Sequence, residues 1–183
     1  DVIATLAKRF GQDNKVLIIS SDKDLHQLIR PTVSLMQPRR GEVGEDRLWT
    51  MENARERFGI RVDQVVDYFA LLGDTSDNIP GVPGIGPKTA QGLLEKFDTL
   101  EAILDRADEI SAKKARESLK SNRELALLSK RLVQAQDDVP VDVSGVRDTY
   151  TGYDHGTLIA FLQKMRFGSI IRDLERDQEY EAM

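Results

Sequence analysis

The sequence predicts an α/β fold in which a partial, mainly parallel sheet with flanking helices is followed by a helical lobe. Short apolar runs rich in β-branched residues alternate with helical patterns only in the first part of the chain. The composition changes after Gly73, where glycine and proline cluster, and the residues beyond alternate helical patterns with turn signals. We therefore expect two domains, an α/β core at residues 1–72 and a helical lobe at residues 73–183.

The predicted core begins with a helix and a strand. The helical pattern covers residues 2–9, and the run KVLIIS at residues 15–20 is apolar, β-branched and flanked by polar residues. Such a run is typical of a strand that is buried on both faces. A helical start at residues 22–29 follows at once, so the order of these elements favours an α/β arrangement.

Two further strands and two helices complete the predicted core. The runs TVSLMQP at residues 32–38 and DRLWT at residues 46–50 enclose the turn-rich RRGEVGE, which predicts a hairpin. The next stretch, MENARERFG, predicts a helix with Thr50 as its cap and Gly59 as its stop. An amphipathic helix is then predicted at residues 62–73.

The helical lobe contains no strand pattern that we assign. Thr151, Gly152 and Asp154 predict a loop and a helix cap, and the polar residues 175–183 predict a frayed end. The predicted helices of the lobe lie at residues 87–96, 99–105, 111–133 and 154–165.

The composition excludes several classes of protein. No run approaches the roughly 18 apolar residues of a membrane span, and the first residues, DVIATLAKRF, lack the pattern of a signal peptide. The chain contains no cysteine, which excludes disulfides and thiolate metal sites and fits a reducing compartment. We therefore expect a cytoplasmic protein with no membrane partner.

A basic segment at residues 111–133 contrasts with the net charge of −5 of the whole chain. It carries seven basic side chains against two acidic ones, a balance of +5. This balance predicts a basic face separate from a cluster of carboxylates, although a solvated charged helix also explains it. The basic residues are Lys113, Lys114, Arg116, Lys120, Arg123, Lys130 and Arg131.

The stretch VPGIGPKTAQGLL at residues 82–94 has the pattern of a turn that leads into a helix. Gly84 and Gly86 permit a tight turn with positive φ, and a helix that starts near Lys88 and Thr89 offers free N–H groups at its positive end. This arrangement predicts a phosphate site. The stretch is not a dinucleotide fingerprint, because no buried strand leads into it, and it lacks the spacing and ending of a P-loop.

Four aspartates occur as two pairs. Asp22 and Asp24 follow the predicted strand at residues 15–20, at the edge where α/β sheets place their sites. Asp74 and Asp77 lie three residues apart, which on a helical turn places both carboxylates on one face. Capping at the start of a turn explains Asp74 and Asp77 alone, but four carboxylates without cysteine or a histidine cluster predict a hard-cation site for Mg²⁺ or Mn²⁺.

The stretches SSDKDLHQL and ALLGDTSDNIPGVPGIGPKTA, with the basic helices that follow, resemble the 5'-nuclease family. This family includes flap endonucleases and the 5'-to-3' exonuclease domains of bacterial DNA polymerases, and the resemblance covers essentially the whole chain. It implies that residues 1–72 are the carboxyl-side part of a nuclease (PIN-like) core. It also implies that the lobe contains a helix-hairpin-helix (helix-three-turn-helix) motif that binds DNA.

The same resemblance implies an activity and roles for individual residues. The activity is two-metal hydrolysis of DNA or RNA-primer phosphodiesters in branched or nicked duplex DNA with a 5' flap. Asp1 matches the last acid of a metal-binding Glu-Ala-Asp-Asp run, and the carbonyls of the hairpin at residues 81–86 are implied to bind K⁺. The matching metal-binding and catalytic carboxylates are Asp22, Asp24, Asp74 and Asp77. The residues implied to contact DNA are Gly84, Ile85, Gly86, Lys88, Thr89, Lys113, Lys114, Arg116 and Lys120.

The sequence departs from the family pattern before Asp1, where relatives carry further acids and a basic arch. Two alternatives therefore stay open: a nuclease whose metal site is completed upstream, or a non-catalytic helix-hairpin-helix module that binds duplex DNA without sequence preference. A Mg²⁺-dependent phosphatase for small esters is disfavoured, because such a substrate needs neither the hairpin nor the basic segment. We expect a monomer associated with the bacterial nucleoid, and whether a polymerase follows Met183 stays open.

Overall fold

The computed structural model describes residues 1–38, 45–144 and 153–181, with side chains described up to residue 175. The chain divides into two compact units, Asp1–Val141 and Asp142–Met183. The predicted boundary after residue 72 lies inside the first unit, and the division into a core and a lobe at that point stays a prediction.

The first unit starts with a helix and a three-stranded sheet. Helix α1 (Val2–Phe10) precedes strand β1 (Val16–Ile19), and a 3-10 helix at Asp24–Leu28 leads to strands β2 (Val33–Gln37) and β3 (Arg47–Trp49). These elements confirm the predicted helix, the strands and the short helical segment after β1.

The described sheet is mixed, with the order β1-β2-β3. Strand β1 pairs with β2 in parallel, whereas β2 pairs with β3 antiparallel, so that Leu35 lies opposite Trp49. The antiparallel pairing confirms the two strands of the predicted hairpin, and most of the predicted turn lies outside the described residues. The prediction of a mainly parallel sheet is therefore confirmed only for the pairing of β1 with β2.

Strand β1 has one buried and one exposed face. Ile18 is 7% exposed, whereas Leu17 and Ile19 are 50% and 61% exposed. The prediction of a strand buried on both faces is therefore wrong, because nothing in the described part of the chain covers the Leu17 face. The buried face packs in a small core with Val33 and Leu35 of β2.

Helix α2 (Arg55–Phe58) is shorter than the helix predicted over residues 51–59. The residues before it form turns, so Ala54 and not Thr50 lies at its N-cap. Gly59 ends the helix in the left-handed conformation, with φ of 71°, which confirms the predicted stop.

Helix α3 (Val65–Leu72) follows a 3-10 turn at Val62–Gln64 and ends at Gly73. All of its residues except the last are buried, including Asp67. The Asp67 carboxylate accepts the backbone N–H of Leu100 at 2.9 Å and pairs with Lys130 Nζ at 2.7 Å. The buried charge is thus compensated by two contacts, which tie α3 to the helices that follow.

Helices after the loop at residues 73–86 pack with α3 in the larger core. The helix predicted over residues 111–133 is two helices, because the backbone leaves helical geometry at Asn122, whose side chain donates to the Ser118 carbonyl at 2.8 Å. The observed helices are α4 (Pro87–Phe97), α5 (Leu100–Asp105), α6 (Lys113–Ser121) and α7 (Arg123–Val133), with a 3-10 turn at Ala107–Glu109.

The second unit contains helices α8 (His155–Lys164) and α9 (Gly168–Glu181) among its described residues. Asp154 caps α8 by accepting the Thr157 N–H at 2.7 Å, as predicted, while Thr151 and Gly152 lie outside the described residues. The backbone is helical up to Glu181, and the predicted fraying of this polar end stays a prediction. No helix within the described ranges is both long and apolar enough to cross a membrane.

Candidate metal site and nucleic-acid interface

Aspartates from two distant parts of the chain meet beside the end of β1. Asp24 opens the 3-10 helix after β1, and Asp74 follows α3. Two backbone hydrogen bonds of 2.8 Å between Asp74 and Ile79 close a turn that carries Asp77. One carboxylate oxygen from each of Asp24, Asp74 and Asp77 lies within 4.8 Å of the others. The structure therefore brings together three of the predicted metal-binding residues.

Asp22 lies next to this group. Its Oδ1 accepts the backbone N–H of Asp24 at 3.0 Å, and its own N–H donates to Ser20 Oγ at 3.1 Å. These bonds hold the short connection between β1 and Asp24, and the exposed Asp22 side chain lines the same cleft as Asp77.

The carboxylates of the group differ in their surroundings. Asp74 is buried, at 7% exposure, and Asp24 is half-buried. Asp24 Oδ1 is buried and accepts no hydrogen bond from the residues that the structure describes. A buried anionic oxygen without a donor is unfavourable, and a bound cation satisfies it.

Asp74 is held by two neighbouring side chains. Its Oδ1 accepts the N–H and the hydroxyl of Ser76 at 3.0 and 2.6 Å. Lys23 Nζ lies 2.5 Å from Asp74 Oδ2 and donates to Ser76 Oγ at 3.3 Å. The Asp74 carboxylate is therefore fixed in orientation and already carries a counter-charge.

The two environments move the pKa values of the carboxyl groups in opposite directions. Burial, with the negative charges of the neighbouring aspartates, raises the pKa of Asp24 to about 6. Burial also acts to raise the pKa of Asp74, but the hydrogen bonds from Lys23 and Ser76 outweigh it and hold that pKa below its ordinary value. Neighbouring carboxyl groups whose pKa values are shifted in opposite directions are typical of functional sites.

An open cleft of about 530 Å³ lies beside the aspartates. Its lining combines two carboxylates with an ammonium and a guanidinium group, which suits a charged ligand. The lining residues are Ser21, Asp22, Lys23, Gln37, Arg57, Ser76 and Asp77.

Asp1 is not placed with these carboxylates. It lies at the start of α1, and its Oδ1 accepts the backbone N–H of Gln136 at 2.8 Å. The group of close carboxylate oxygens among the described residues does not include it. The role of Asp1 as a metal ligand stays a prediction.

The loop between α3 and α4 depends on glycines with positive φ. The φ angles are 78° at Gly73, 63° at Gly81 and 80° at Gly84. A Cβ at Gly81 would lie 2.3 Å from the backbone nitrogen of Gly73, so the two ends of the loop approach more closely than any side chain allows. Gly86 has φ of −97°, and the expectation of positive φ there is wrong.

The hairpin at residues 81–86 uses several of its carbonyl groups internally. The carbonyls of Val82 and Gly86 accept backbone N–H groups at 3.1 and 2.9 Å, and that of Pro83 accepts the Ser118 hydroxyl at 2.5 Å. The hydroxyl contact places α6 directly against the hairpin. The carbonyls that accept no hydrogen bond within the described ranges are those of Gly81, Gly84 and Ile85.

Helix α4 begins immediately after this hairpin, with Pro87 at its first position. Lys88 is exposed and Thr89 is half-buried, and the first N–H groups of a helix have no acceptor within the helix. Ile85 is 5% exposed and belongs to the larger core, so only its backbone is available to a ligand.

Neighbouring acids neutralise much of the basic segment. Lys113 lies 3.9 Å from Glu117, and Arg116 donates to the Ile110 carbonyl at 2.9 Å. Lys114 is exposed and forms no ion pair with the residues that the structure describes. The segment is therefore a weaker basic face than its net charge indicates. The close pairs are Lys120–Asp108 at 2.5 Å, Arg123–Asp105 at 2.6 Å, Lys130–Asp67 at 2.7 Å and Lys130–Glu101 at 2.8 Å.

The sequence reasoning missed the polar partners of the aspartates. Lys23 lies between two of the predicted ligands in the sequence, and Ser76 lies between the other two. Their positions could therefore have indicated that they contact the aspartates. Gln37 and Arg57 reach the cleft from β2 and α2, and no local pattern marks them.

Comparisons with known proteins agree on one family. Residues 60–155 match the family model described as 5'-3' exonuclease, C-terminal SAM fold. The chain is 41% identical over 182 residues to DNA polymerase I of Bacillus caldotenax, and 38% identical over 178 residues to DNA polymerase I of Bacillus subtilis. These matches cover 99% and 97% of this chain but 21% and 20% of the relatives, so the chain spans about a fifth of the length of the curated relatives it matches.

Two solved structures have a similar fold. The T5 5'-exonuclease with bound zinc ions matches with a TM-score of 0.63 and 27% identity, over 72% of this chain and 47% of that one. The catalytic core of Rad2 in complex with DNA substrate matches with a TM-score of 0.58 over 88% of this chain and 55% of that one, and at 17% identity this likeness shows the fold alone. With a family match over more than half of its residues, the chain belongs to the 5'-3' exonuclease family.

Proposed function

We propose that the chain is part of a metal-dependent 5'-to-3' exonuclease and flap endonuclease, which hydrolyses phosphodiesters of DNA or of an RNA primer. The observation that carries the proposal is the group of Asp24, Asp74 and Asp77, whose carboxylate oxygens lie within 4.8 Å of one another beside an open polar cleft. Membership of the 5'-3' exonuclease family supports the class of reaction.

The donor set of this group fits a hard divalent cation. The ligand atoms are carboxylate oxygens, which Mg²⁺ and Mn²⁺ prefer, and Asp24 Oδ1 is a buried acceptor without a donor among the described residues. Asp24, Asp74 and Asp77 would hold the ion, with Asp22 beside them. Two such cations, when bound, stabilise the attacking and leaving oxygens of a phosphodiester.

The chain's own residues orient this site. Ser76 holds Asp74 Oδ1 through its N–H and hydroxyl groups, which leaves Oδ2 to Lys23 or to a cation. The Asp22 Oδ1 contact with the Asp24 N–H fixes the backbone that carries the second ligand. The site is therefore prearranged on two short segments, one after β1 and one after α3.

We further propose that residues of the whole protein outside this chain complete the metal site. Two hard cations need several anionic oxygens each, and three grouped carboxylates with Asp22 nearby are too few to hold both well. The exposed Leu17 and Ile19 face of the sheet supports further packing against it. The relatives are DNA polymerases I of which the chain matches about a fifth, which supports a polymerase elsewhere in the whole protein.

We propose that α3, the loop at residues 73–86 and α4 form a helix-hairpin-helix that binds DNA backbones. The first N–H groups of α4, with Lys88 and Thr89, supply donors for a phosphate. The carbonyls of Gly81, Gly84 and Ile85 are the candidate ligands for K⁺, because they accept no hydrogen bond among the described residues. Contacts to the phosphate backbone do not distinguish between bases, so binding should be independent of the DNA sequence.

Helix α6 belongs to the same proposed surface. The Ser118 hydroxyl donates to the Pro83 carbonyl of the hairpin, which joins the helix to the loop. The residues of α6 proposed to approach DNA are Lys113, Lys114, Arg116 and Lys120. The substrate that fits the grouped aspartates, the polar cleft beside them and a phosphate-binding loop is a branched or nicked duplex with a 5' flap.

A non-catalytic DNA-binding module is the second candidate. It is favoured by the small number of grouped carboxylates and by the ion pair between Lys23 and Asp74, which already neutralises one of them. Such a module needs the hairpin but not the grouped aspartates.

Cleavage of one 5'-flap duplex in Mg²⁺ separates the two candidates. The test compares this chain with a longer polypeptide that adds the upstream residues of the family, each with and without Asp74→Asn. We expect strong cleavage from the longer protein, a small fraction of that rate from the 183-residue chain, and loss of cleavage but not of DNA binding with Asp74→Asn. No cleavage by the longer protein would favour the DNA-binding module, and full activity of this chain alone would contradict the incomplete site.

A further inference from the structure

Arg57, a residue of α2, lines the open polar cleft and has no role in the scheme above. The other basic residue of the lining, Lys23, is bound to Asp74 at 2.5 Å. Within the described ranges, no carboxylate lies within 4.0 Å of the Arg57 guanidinium nitrogens. Among the described basic residues of the cleft lining, Arg57 is therefore the one whose charge is not compensated by an ion pair.

The guanidinium group is held in place by uncharged neighbours. Arg57 Nη1 donates to Gln37 Oε1 at 2.9 Å and lies 3.4 Å from His26 Nδ1. The guanidinium carbon lies 5.2 Å from the ring centre of Phe58 and 5.6 Å from that of Trp49. The same Gln37 oxygen also accepts Trp49 Nε1–H at 3.3 Å, so the anchor itself is oriented.

His26 is packed into the wall beside this anchor. It is 1% exposed and packs edge-on against Trp49 and Phe58, with ring centres 5.1 and 5.2 Å away. The contacts that hold Arg57 thus leave its positive charge intact, because an arginine stays protonated even when partly buried.

The anchored group retains free donors. An arginine has five N–H groups, and the hydrogen bonds of Arg57 to the described residues involve Nη1 alone. A fixed guanidinium with free N–H groups binds a phosphate in a bidentate way and loses little side-chain entropy on binding. Beside Asp22 and Asp77, such a group also offsets the repulsion that a phosphate would meet in the cleft.

We propose that Arg57 binds a backbone phosphate of the nucleic-acid strand that enters this cleft, with Gln37 as its positioning residue. The inference rests on the proposed function, because it takes the ligand of the cleft to be a nucleic acid. It adds a substrate-binding residue that lies on α2, apart from the hairpin and from α6.

The first test compares Arg57→Gln with Arg55→Gln, which makes the same charge change at an exposed position of the same short helix. Binding of a 5'-flap duplex is measured in Ca²⁺, which prevents cleavage, at several salt concentrations. We expect Arg57→Gln to weaken binding by about tenfold and to lower the salt slope by about one, and Arg55→Gln to change affinity by less than about twofold.

The second test identifies the phosphate. Phosphates around the flap junction are replaced one at a time by uncharged methylphosphonate. At the phosphate bound by Arg57, the replacement should weaken binding by the unmodified chain but have no further effect on Arg57→Gln, since both changes remove the same contact. Additive losses at every phosphate would overturn the proposal.

Two more variants keep the result independent of folding. Arg57→Lys retains the positive charge, and Gln37→Leu retains Arg57 but removes the hydrogen bond that anchors it. Both variants should lose less affinity for the duplex than Arg57→Gln does. In both, the methylphosphonate replacement that loses its effect should be at the same phosphate as in Arg57→Gln. Thermal unfolding is recorded for each variant. If the unmodified chain does not bind the duplex, this inference and the proposed function both fail. If it binds and Arg57→Gln equals Arg55→Gln, only the role of Arg57 fails.

Discussion

Lys23 Nζ lies 2.5 Å from Asp74 Oδ2, so an ammonium group of the chain itself neutralises the most buried carboxylate of the candidate metal site. The hydrogen bond to Asp74 raises the pKa of Lys23, which therefore stays protonated at neutral pH. A divalent ion that uses Asp74 Oδ2 has to compete with this contact. Lys23 thus stabilises the site when it is metal-free and opposes metal binding.

Replacement of Lys23 by methionine should have opposite effects in the absence and presence of metal. Without divalent ions, Lys23→Met should lower the melting temperature, because buried Asp74 loses its counter-charge beside Asp24 and Asp77. With Mn²⁺, the increase in melting temperature should be larger than for the unmodified chain. Thermal unfolding with EDTA and with Mn²⁺ measures both effects. Lys15→Met, at an exposed position, is the control, and equal Mn²⁺ shifts in all three proteins would contradict the competition.

The raised pKa of Asp24 predicts how stability depends on pH. The native pKa is about 6, above the unfolded value of about 3.9. The native state therefore binds the proton more tightly than the unfolded state does. Above pH about 6, ionised Asp24 lowers the free energy of unfolding of the metal-free chain. This free energy of unfolding is regained as the pH falls towards about 4.

Asp24→Asn should accordingly stabilise the metal-free chain at about pH 7.5, by about 1–2 kcal/mol after allowance for partial solvent screening. The gain should shrink at about pH 4.5, where native Asp24 is already protonated. Urea unfolding in EDTA at both pH values measures it, and Asp13→Asn, an exposed carboxylate on a turn, serves as control. A destabilised Asp24→Asn at the higher pH would contradict the assigned environment.

Valine should be tolerated differently at the two glycines of the hairpin. Gly84 has φ of 80°, a conformation that costs a side chain about 1–2 kcal/mol. Gly86 has φ of −97°, and a Cβ there meets no atom within 4 Å. Gly84→Val should therefore lower the free energy of unfolding and weaken DNA binding more than Gly86→Val does, as measured by urea unfolding and by titration of a flap duplex. Equal losses would show that the backbone of Gly84 does not control the hairpin.

Lysines of α6 should contribute unequally to DNA binding. Lys114 is exposed and has no ion pair among the described residues, whereas Lys120 is bound to Asp108 at 2.5 Å. A lysine that must first leave a carboxylate gives up part of its attraction to a phosphate. Lys114→Ala should reduce the affinity for a flap duplex and the salt slope more than Lys120→Ala does. The reverse order in salt-dependent titrations would contradict this assignment.

Features that depend on neighbouring residues could be predicted from the sequence alone. Apolar periodicity located α1, α3 and α4, and a β-branched apolar run located β1. Gly59 and Asp154 were recognisable as a helix stop and a helix cap because these signals act within one turn. The short spacing within each pair, Asp22 with Asp24 and Asp74 with Asp77, was also visible in the sequence and indicated carboxylate oxygens as ligands for a metal.

Contacts between residues far apart in the sequence could be located only in the folded chain. Asp24 lies beside Asp74 and Asp77 because α3 ends next to the connection after β1, and no local pattern encodes that contact. The ion pair of Lys23 with Asp74, the anchoring of Arg57 by Gln37, and the neutralisation of Lys120 by Asp108 likewise join separate elements. The φ angles of Gly84 and Gly86 follow from how the loop is closed on α6 and α4, since glycine itself accepts either sign of φ.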